Sequence, residues 1–366
     1  MLSVTGLTKR YGDETVLAAL SLSVDGGEFV TLLGPSGCGK TTTLLAIAGH
    51  VTPTAGTVSI GGRDVTDSPP EARSCGLVFQ QDALFPHMTA RENVAYALAP
   101  HDPDEQRQER RVDDLLSLVG MADHAGKHPE QLSGGQRRRV ELVRALATDP
   151  DVLLLDEPLT GLDRALREDL RAEIARVHDR TGVTTLYVTH DQTEALSLSD
   201  RLVILDDGRV VGEGTPRSLY ERPPNRFVAS FLGPSAELTA TLVSDDPPIA
   251  AWCGHEFVLE GSPPGDQITL LLRPDDVGNS FEGTATARDV RVEATVQDAS
   301  HRGPHSSVTV EAPDGTHLSL AVEGFPDLHR GDDLAVGFDA ADLFAFAGGE
   351  RCAVSRSREA EYYDEP

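Results

Sequence analysis

A glycine-rich loop lies between an apolar segment and a helix-like segment near the start of the chain. It reads Gly-Pro-Ser-Gly-Cys-Gly-Lys-Thr from Gly34 to Thr41. Glycines let successive backbone N–H groups turn toward phosphate oxygens, and a helix start adds partial positive charge. The final lysine and threonine suit the outer phosphates and Mg²⁺. The alternative is a glycine-rich turn that matches by chance. The loop predicts a nucleoside triphosphate site formed by Gly34, Pro35, Ser36, Gly37, Cys38, Gly39, Lys40, Thr41 and Thr42.

Two adjacent carboxylates follow a second apolar segment. The run Val152–Leu155 suits a strand buried on both faces, and Asp156 and Glu157 come directly after it. Ligands of doubly wound sheets bind at the carboxyl ends of such strands. Asp156 is therefore predicted to bind Mg²⁺, and Glu157 is predicted to polarise an attacking water. The alternative is an acidic pair that begins a turn before Pro158.

A second helix start that suits an anion lies between these two motifs. The sequence Leu132-Ser133-Gly134-Gly135-Gln136 precedes a helix-like stretch that begins with three arginines. A serine cap and two glycines leave backbone N–H groups directed at a ligand. A single active site has little use for two such starts. The alternative is a helix cap with no further role.

The order of these motifs resembles that of the ATPase subunits of ATP-binding cassette (ABC) transporters. The motifs are Gly34–Thr41, Gln80, Leu132–Gln136, Val152–Glu157, Gly161-Leu162-Asp163 and His190. The resemblance covers nearly all of residues 1–232. It implies ATP and Mg²⁺ as cofactors and a second copy of the chain facing the first head to tail. Each ATP then lies between the phosphate loop of one copy and Ser133–Gln136 of the other.

The same resemblance implies further site residues. Tyr11 corresponds to the aromatic residue that stacks on adenine, and a core tyrosine is the alternative. Gln80 corresponds to the glutamine that contacts Mg²⁺ and the water, with Gln81 as the other register. His190 corresponds to the histidine at the γ-phosphate, and a structural histidine is the alternative. Asp163 corresponds to the aspartate that communicates across the dimer. The implied catalytic residues are Glu157, His190 and Gln80, and the implied metal ligands are Thr41, Gln80 and Asp156.

The sequence departs from the usual family pattern at two places. Arg137 and Arg138 stand where glutamines are usual after the signature motif. Thr160-Gly161 replaces a serine-asparagine or serine-alanine pair before Leu162. These departures concern the dimer contact rather than the atoms that hold phosphate.

The segments around the motifs predict an α/β fold followed by a β-rich domain. Short apolar strands alternate with amphipathic stretches over residues 1–232, as in a P-loop NTPase cassette, and a helical subdomain is predicted at about 86–147. Strand-like alternation with Gly, Pro and Asp turns fills residues 235–350. There, Leu271–Val277 and Asp342-Leu343 resemble the small β-barrel (TOBE or OB-like) domain of importer ATPases. Residues 355–366 are predicted to form a disordered acidic tail.

The composition limits the classes of partner and the compartment. The chain has 366 residues and a formal net charge of −27. An acidic excess with three lysines resembles salt-adapted proteins, and it disfavours nucleic acid as a partner. No stretch reaches the length of a membrane-spanning helix and no signal-peptide pattern is present, so we expect the protein to stay inside the cell. The four scattered cysteines read as reduced thiols.

The resemblance implies an ATPase that energises solute import from the cytoplasmic face of the membrane. Because the chain carries one cassette and no fused membrane domain, a separate permease is implied, and indirectly an extracytoplasmic solute-binding protein. Apolar contacts to the permease are expected from Leu84, Phe85 and Met88, with buried packing as the alternative. The alternative function is a soluble ABC-type ATPase with a regulatory or interaction role. The region Phe79–Thr89 and the C-terminal domain look most like iron and polyamine importers, but the ATPase does not contact the cargo.

Overall fold

The computed structural model describes residues 1–98, 104–260, 265–279, 288–301, 305–324 and 326–359. The chain divides into two compact units, Met1–Arg217 and Ser218–Pro366. The first unit contains β1 (Leu2–Tyr11), β2 (Glu14–Val24), β3 (Phe29–Leu33), α1 (Lys40–Ala48), β4 (Ala55–Ile60), β5 (Arg63–Asp64), β6 (Cys75–Val78), α2 (Ala90–Leu98), α3 (Glu105–Leu118), α4 (Gly134–Leu146), β7 (Val152–Asp156), α5 (Arg164–Thr181), β8 (Thr184–Thr189), α6 (Gln192–Leu198), β9 (Arg201–Asp206) and β10 (Arg209–Gly214). Helix α7 (Pro216–Glu221) spans the division.

The second unit contains α8 (Arg226–Phe231), β11 (Ala236–Asp245), β12 (Pro248–Trp252), β13 (His255–Glu260), β14 (Gln267–Leu272), β15 (Gly278–Asn279), β16 (Val290–His301), β17 (His305–Glu311), β18 (His317–Glu323), β19 (Asp333–Phe338), β20 (Phe344–Ala347) and β21 (Glu350–Glu359). Short 3₁₀ helices occur in both units, at Pro70–Ala72, Ala122–His124, Pro129–Gln131, Pro274–Asp276 and Ala340–Asp342.

A six-stranded sheet with the order β10-β9-β3-β8-β7-β6 forms the centre of the first unit. Strand β3 runs parallel to β8 and β9, and β7 runs parallel to β6 and β8. Every residue of β3, β7 and β8 is buried, and the apolar sequences of β3 and β7 suit strands that are covered on both faces. The carboxyl ends of these strands therefore lie side by side at one edge, where the segments that follow them meet.

A helical region packs on this sheet. Helix α3 buries Val112, Leu115 and Leu116, and Val119 after it is also buried, which confirms the apolar stripe read from the sequence. Helices α2, α3 and α4 share one hydrophobic cluster with residues of β7 and α5. No helix in the described part of the chain is both long enough and apolar enough to cross a bilayer.

The second unit contains a closed barrel, as the sequence predicts. Its strands follow the order β11-β12-β13-β21-β20-β14. A five-stranded sheet, β15-β19-β16-β17-β18, shares one hydrophobic cluster with the barrel. Helix α8 packs on the barrel because Ala229 forms a buried cluster with Leu271 and Phe346. The sequence instead predicts that residues up to 232 belong with the first unit.

The described part of the chain includes only residues 355–359 of the predicted disordered tail, and for those residues the prediction is wrong. Residues up to Glu359 belong to β21, which pairs antiparallel with β13 from His255↔Glu359 to Glu260↔Ala353. Main-chain hydrogen bonds of this kind do not need an apolar sequence, so a polar composition did not reveal the strand. Residues 360–366 lie outside the described part of the chain.

Candidate nucleotide site

The loop between β3 and α1 adopts a conformation that requires glycine. Gly37 and Gly39 have positive φ angles of 85° and 103°. A Cβ atom on Gly34 would lie 2.4 Å from the main-chain oxygen of Leu205, and one on Gly39 would lie 2.6 Å from Cδ2 of Leu17. Gly39 is also the N-cap of α1, and the helix has no side-chain cap. Its first backbone amides are therefore available to an anion.

Lys40 is held inside this loop. Its ammonium group donates hydrogen bonds to the main-chain oxygens of Gly34 (2.8 Å) and Pro35 (2.9 Å), and 5% of the residue is exposed. The side chain of Cys38 is buried as well. Lys40 also lines a cleft of about 230 Å³. The residues that line this cleft are Val16, Ser36, Gly37, Gly39, Lys40, Thr41, Thr42 and Glu157.

Thr41 and Asp156 join the loop to the end of β7. The Thr41 hydroxyl donates to Oδ1 of Asp156 at 3.2 Å, and Asp156 is 4% exposed. Burial raises the pKa of the Asp156 carboxyl, with a smaller contribution from Glu157, while the Thr41 hydrogen bond and the Lys40 charge act in the opposite direction. Hydroxyl and carboxylate oxygens are the donors that Mg²⁺ prefers, so this pair fits a magnesium ion.

Two other predicted site residues meet at the carboxylate of Glu157. Its Oε2 atom accepts a hydrogen bond from Nε2 of Gln80 at 3.2 Å and lies 3.1 Å from Nδ1 of His190. Gln80, rather than Gln81, makes this contact. Glu157 has a positive φ of 44°, a conformation that side-chain-bearing residues adopt at a cost and that clusters at functional sites. The carboxylate therefore lies at the cleft with two side-chain nitrogens directed at one of its oxygens.

The sequence did not identify two groups that support this arrangement. The Thr160 hydroxyl donates to the same Oε2 atom of Glu157 at 3.1 Å. Glu194 is 5% exposed, and its Oε2 accepts hydrogen bonds from the hydroxyls of Tyr187 and Thr189, each at 2.7 Å. Burial and the Glu194 carboxylate raise the pKa of the Tyr187 hydroxyl, which therefore remains a donor. Glu194 thus fixes the end of β8, directly before His190. No local sequence pattern indicates this contact.

The signature motif begins α4 through a reciprocal pair of hydrogen bonds. The amide of Gln136 donates to Oγ of Ser133 at 3.3 Å, and the Gln136 side chain accepts from the amide of Ser133 at 3.0 Å. A Cβ atom on Gly135 would lie 2.3 Å from Cδ1 of Leu166, so this glycine allows α4 to approach α5 closely. Gly134 lies beside Leu162. Within one copy of the chain, the motif is a capped helix start on the surface of the first unit.

In the described part of the chain, Asp163 and Tyr11 are not among the residues that bond to the Glu157 carboxylate. Asp163 is the N-cap of α5, where Oδ1 accepts from the amide of Leu166 at 3.0 Å. Tyr11 is 52% exposed, which excludes the core-tyrosine alternative, and Nζ of Lys9 lies 4.8 Å from the centre of its ring. An exposed aromatic face of this kind can stack on a purine base.

A second and larger cleft, of about 700 Å³, lies elsewhere on the first unit. Phe85 packs edge-on against Tyr96, with ring centres 4.9 Å apart, and Tyr96 is 55% exposed. Leu84 instead packs against the helical core, so buried packing explains that residue. Residues lining this cleft include Arg73, Leu77, Phe79, Phe85, Tyr96 and Arg144.

Comparison with known proteins assigns both units to known families. Residues 17–160 match the ABC transporter family, and residues 270–346 match the TOBE domain family. The sulfate/thiosulfate import ATP-binding protein CysA 2 of Chromobacterium violaceum is 42% identical over 357 residues, which cover 96% of each chain. The spermidine/putrescine import ATP-binding protein PotA of Thermobifida fusca is 42% identical over 327 residues, or 87% of this chain and 85% of that protein.

Solved structures of ATP-binding cassettes share the fold. A dimeric post-hydrolysis state of the ATP-binding cassette MJ0796, bound to ADP and Pi, matches with a TM-score of 0.53 and 32% identity. The match covers 59% of this chain and 99% of that chain. A further dimeric structure of MJ0796, described as a bacterial ABC transporter cassette, matches with the same TM-score and 33% identity. The shared region is thus about one cassette in length.

Proposed function

The chain belongs to the ATP-binding subunits of ABC importers with a C-terminal TOBE domain, and we propose that its cleft beside Lys40 binds ATP with Mg²⁺ for hydrolysis at Glu157. As a member of this family it is an ATPase that energises solute import through a separate permease. One observation carries the assignment of the site. Gln80 and His190 both meet a single carboxylate oxygen of Glu157, which itself lines the cleft that contains the lysine.

Phosphoryl transfer to water is the reaction that this arrangement supports. The Lys40 ammonium and the helix N-terminus lower the energy of negative charge on the β- and γ-phosphates. The water oxygen bonds to the γ-phosphorus while the bond to the β–γ bridging oxygen breaks, and the water proton passes to the Glu157 carboxylate. Gln80 and His190 orient that carboxylate, and His190 is proposed to contact the γ-phosphate. Tyr11 is proposed to stack on the adenine ring.

The metal ligands are proposed to be Thr41, Asp156 and Gln80. The hydroxyl of Thr41 and the carboxylate of Asp156 already share a hydrogen bond at the cleft, and Gln80 carries an amide oxygen near Glu157. Bound Mg²⁺ supplies positive charge to the phosphate oxygens. Because burial disfavours the charged form of Asp156, a cation beside it removes part of that cost.

The second half of each site is proposed to come from another copy of the chain. The capped helix start at Ser133–Gln136 faces outward within one subunit, and it is the type of helix terminus that binds phosphate. The dimeric cassettes with the same fold support a homodimer. From the family resemblance, we propose that its two copies face head to tail, so that this motif closes the partner's cleft. Asp163 is proposed to contribute to contacts across that dimer.

The cleft of about 700 Å³ is proposed to receive a helix of the permease at the cytoplasmic face of the membrane. Phe79, Phe85 and Tyr96 give it an aromatic lining, and Arg144 adds positive charge. A partly exposed aromatic groove with a positive charge beside it suits an amphipathic helix. A solute-binding protein outside the membrane completes the proposed importer.

The cargo is not encoded in these residues. The relatives named for sulfate/thiosulfate and for spermidine/putrescine are both 42% identical to this chain. One name refers to an anion and the other to a polycation. Similar identity to both relatives is consistent with an ATPase subunit that does not contact the solute. The net charge of −27 further supports a proposed adaptation to high salt.

Replacing Glu157 with glutamine tests the proposed reaction. E157Q keeps the shape of the side chain and removes the proton acceptor, so we expect turnover to fall by about 10²-fold or more. Bound ATP should persist, and the dimer should remain closed around it. The matched control is E168Q, because Glu168 is an exposed residue on α5 that pairs with Arg171. Full hydrolysis by E157Q contradicts the assignment.

A further inference from the structure

Arg138 on α4 is a buried arginine that bonds to the main chain of the segment containing Gln80. Only 8% of the residue is exposed. One guanidinium nitrogen donates to the main-chain oxygen of Phe79 at 2.9 Å, and the other donates to the main-chain oxygen of Gln80. These two carbonyl groups belong to consecutive residues directly after β6. The planar guanidinium group is therefore shared between both of them.

Glu141 completes the contact one helical turn later. It is 2% exposed, and its Oε2 atom accepts from Arg138 at 2.7 Å. Its other oxygen accepts from the amide of Ala83 at 2.5 Å. The buried pair is thus neutral overall, and its two members hold the main chain at both ends of residues 79–83. Removing Arg138 alone would leave the buried Glu141 carboxylate without a compensating charge.

Gln80 is consequently fixed on two sides. Its main-chain oxygen is bound to Arg138, and its side-chain amide donates to Glu157 at 3.2 Å. A displacement of the main chain moves the amide by a similar distance, and hydrogen bonds weaken quickly beyond their normal length. The position of the Gln80 amide at the proposed catalytic carboxylate therefore depends on the α4 guanidinium group.

We propose that Arg138 is a positioning residue for ATP hydrolysis, which fixes the main chain of Gln80 so that its side chain meets Glu157. This inference rests on the roles proposed above for Gln80 and Glu157. Arg138 does not touch the cleft or the reacting atoms. Helix α4 begins at the Ser133–Gln136 motif, which is proposed to close the partner's cleft. Through Arg138, the same helix also contacts Gln80 at the subunit's own cleft.

The test removes the guanidinium group without leaving a buried charge. In R138M/E141Q, methionine keeps an unbranched apolar side chain, and glutamine still accepts the hydrogen bond from Ala83. We expect kcat for ATP to fall about tenfold, while KM for ATP changes less than about twofold, because Lys40 and its loop are untouched. The matched control is R139M. Arg139 lies next along the same helix, bonds to the Val119 carbonyl and pairs with Glu173, which Arg176 also pairs with. These partners belong neither to residues 79–83 nor to the signature motif, so its removal should change kcat by less than about twofold.

A mutant cycle with Gln80 separates positioning from general damage. If Arg138 acts through Gln80, Q80A alone should already remove the part of kcat that Arg138 supports. Adding R138M/E141Q to Q80A should then lower kcat by less than about twofold. Multiplicative losses in the cycle overturn the proposal, as does a kcat for R138M/E141Q equal to that of the unmodified chain. If R138M/E141Q does not fold, R138K enters the same cycle, because its ammonium group keeps the charge beside Glu141 but has no planar fork for two carbonyls.

The activities of the variants separate an error in the proposed site from an error in the role of Arg138. If the unmodified chain and R139M do not hydrolyse ATP, or if E157Q is fully active, the proposed site is wrong. If both hydrolyse ATP and E157Q is inactive, but the Gln80 cycle is multiplicative, only the role of Arg138 is wrong. Melting temperatures measured for all variants identify any loss that reflects unfolding.

Discussion

Nδ1 of His190 lies 3.1 Å from Oε2 of Glu157 because the two residues follow neighbouring parallel strands. Strand β7 pairs with β8 in a register that places Asp156 beside Val188. The amide of Glu157 also donates to the main-chain oxygen of Val188 at 2.9 Å, which continues this register past the end of β7. The contact is thus set by the sheet, and it does not depend on the flexibility of a long loop.

Replacing His190 with alanine should slow hydrolysis with little effect on folding. The imidazole is about half exposed, so its loss removes few packing contacts. We expect kcat to fall by about tenfold to 10²-fold. The matched control is H317A in the second unit, where the side chain is 63% exposed and far along the chain from the site. Equal activity of H190A and H317A would exclude a role for His190 in turnover.

Asp156 should control the magnesium requirement and make it depend on pH. We expect D156N to raise the Mg²⁺ concentration for half-maximal hydrolysis by about tenfold or more, since an amide carries no charge. Burial raises the pKa of Asp156, so protons compete with Mg²⁺ at a higher pH than they do at an exposed aspartate. The apparent affinity for Mg²⁺ should therefore fall as the pH decreases and recover as it rises.

Magnesium titrations at several pH values measure this dependence. D151N is a suitable control because Asp151 is exposed and directly precedes β7, at the opposite end of the strand. An unchanged magnesium requirement in D156N would show that another group holds the metal. A requirement that is independent of pH in the unmodified chain would argue against competition at Asp156.

The local parts of the site were predictable from the sequence because each has a short-range signal. The loop Gly34–Thr41 carries its glycines, lysine and threonine within eight positions, and the structure folds it between β3 and α1. The apolar run before Asp156 likewise forms a buried strand. In both cases the residue types themselves limit the backbone conformation or the burial of the segment.

The non-local contacts were not predictable in the same way. Nothing adjacent in sequence indicates that Arg138 bonds to the carbonyls of Phe79 and Gln80, or that Glu194 accepts from two hydroxyls of β8. Strand β21 is similar, because its pairing with β13 depends on main-chain groups that every residue carries. Such contacts depend on tertiary arrangement rather than on local propensity.

The proposed permease groove should be sensitive to charge at Tyr96. Y96E places a carboxylate in an aromatic cleft, and we expect it to reduce recovery of the cognate permease subunits with the full-length chain by about tenfold. The matched control is V243E in the second unit, because Val243 is 54% exposed and Tyr96 is 55% exposed. Recovery is measured by affinity purification from detergent-solubilised membranes. Equal recovery with Y96E and V243E would place the permease contact elsewhere.

Salt should stabilise the fold by screening the negative charge. The chain has a net charge of −27, so like charges repel one another in the folded state at low ionic strength. We expect the melting temperature to rise by about 5 °C or more between 0.1 M and 1 M KCl. The shape of the curve identifies the cause, because the screening length decreases from about 10 Å to about 3 Å over that range and changes little beyond it. Most of the gain should therefore occur below about 1 M, whereas exclusion of salt from the surface would continue to raise the melting temperature at higher concentration. A melting temperature that is indifferent to KCl would contradict the proposed adaptation to salt.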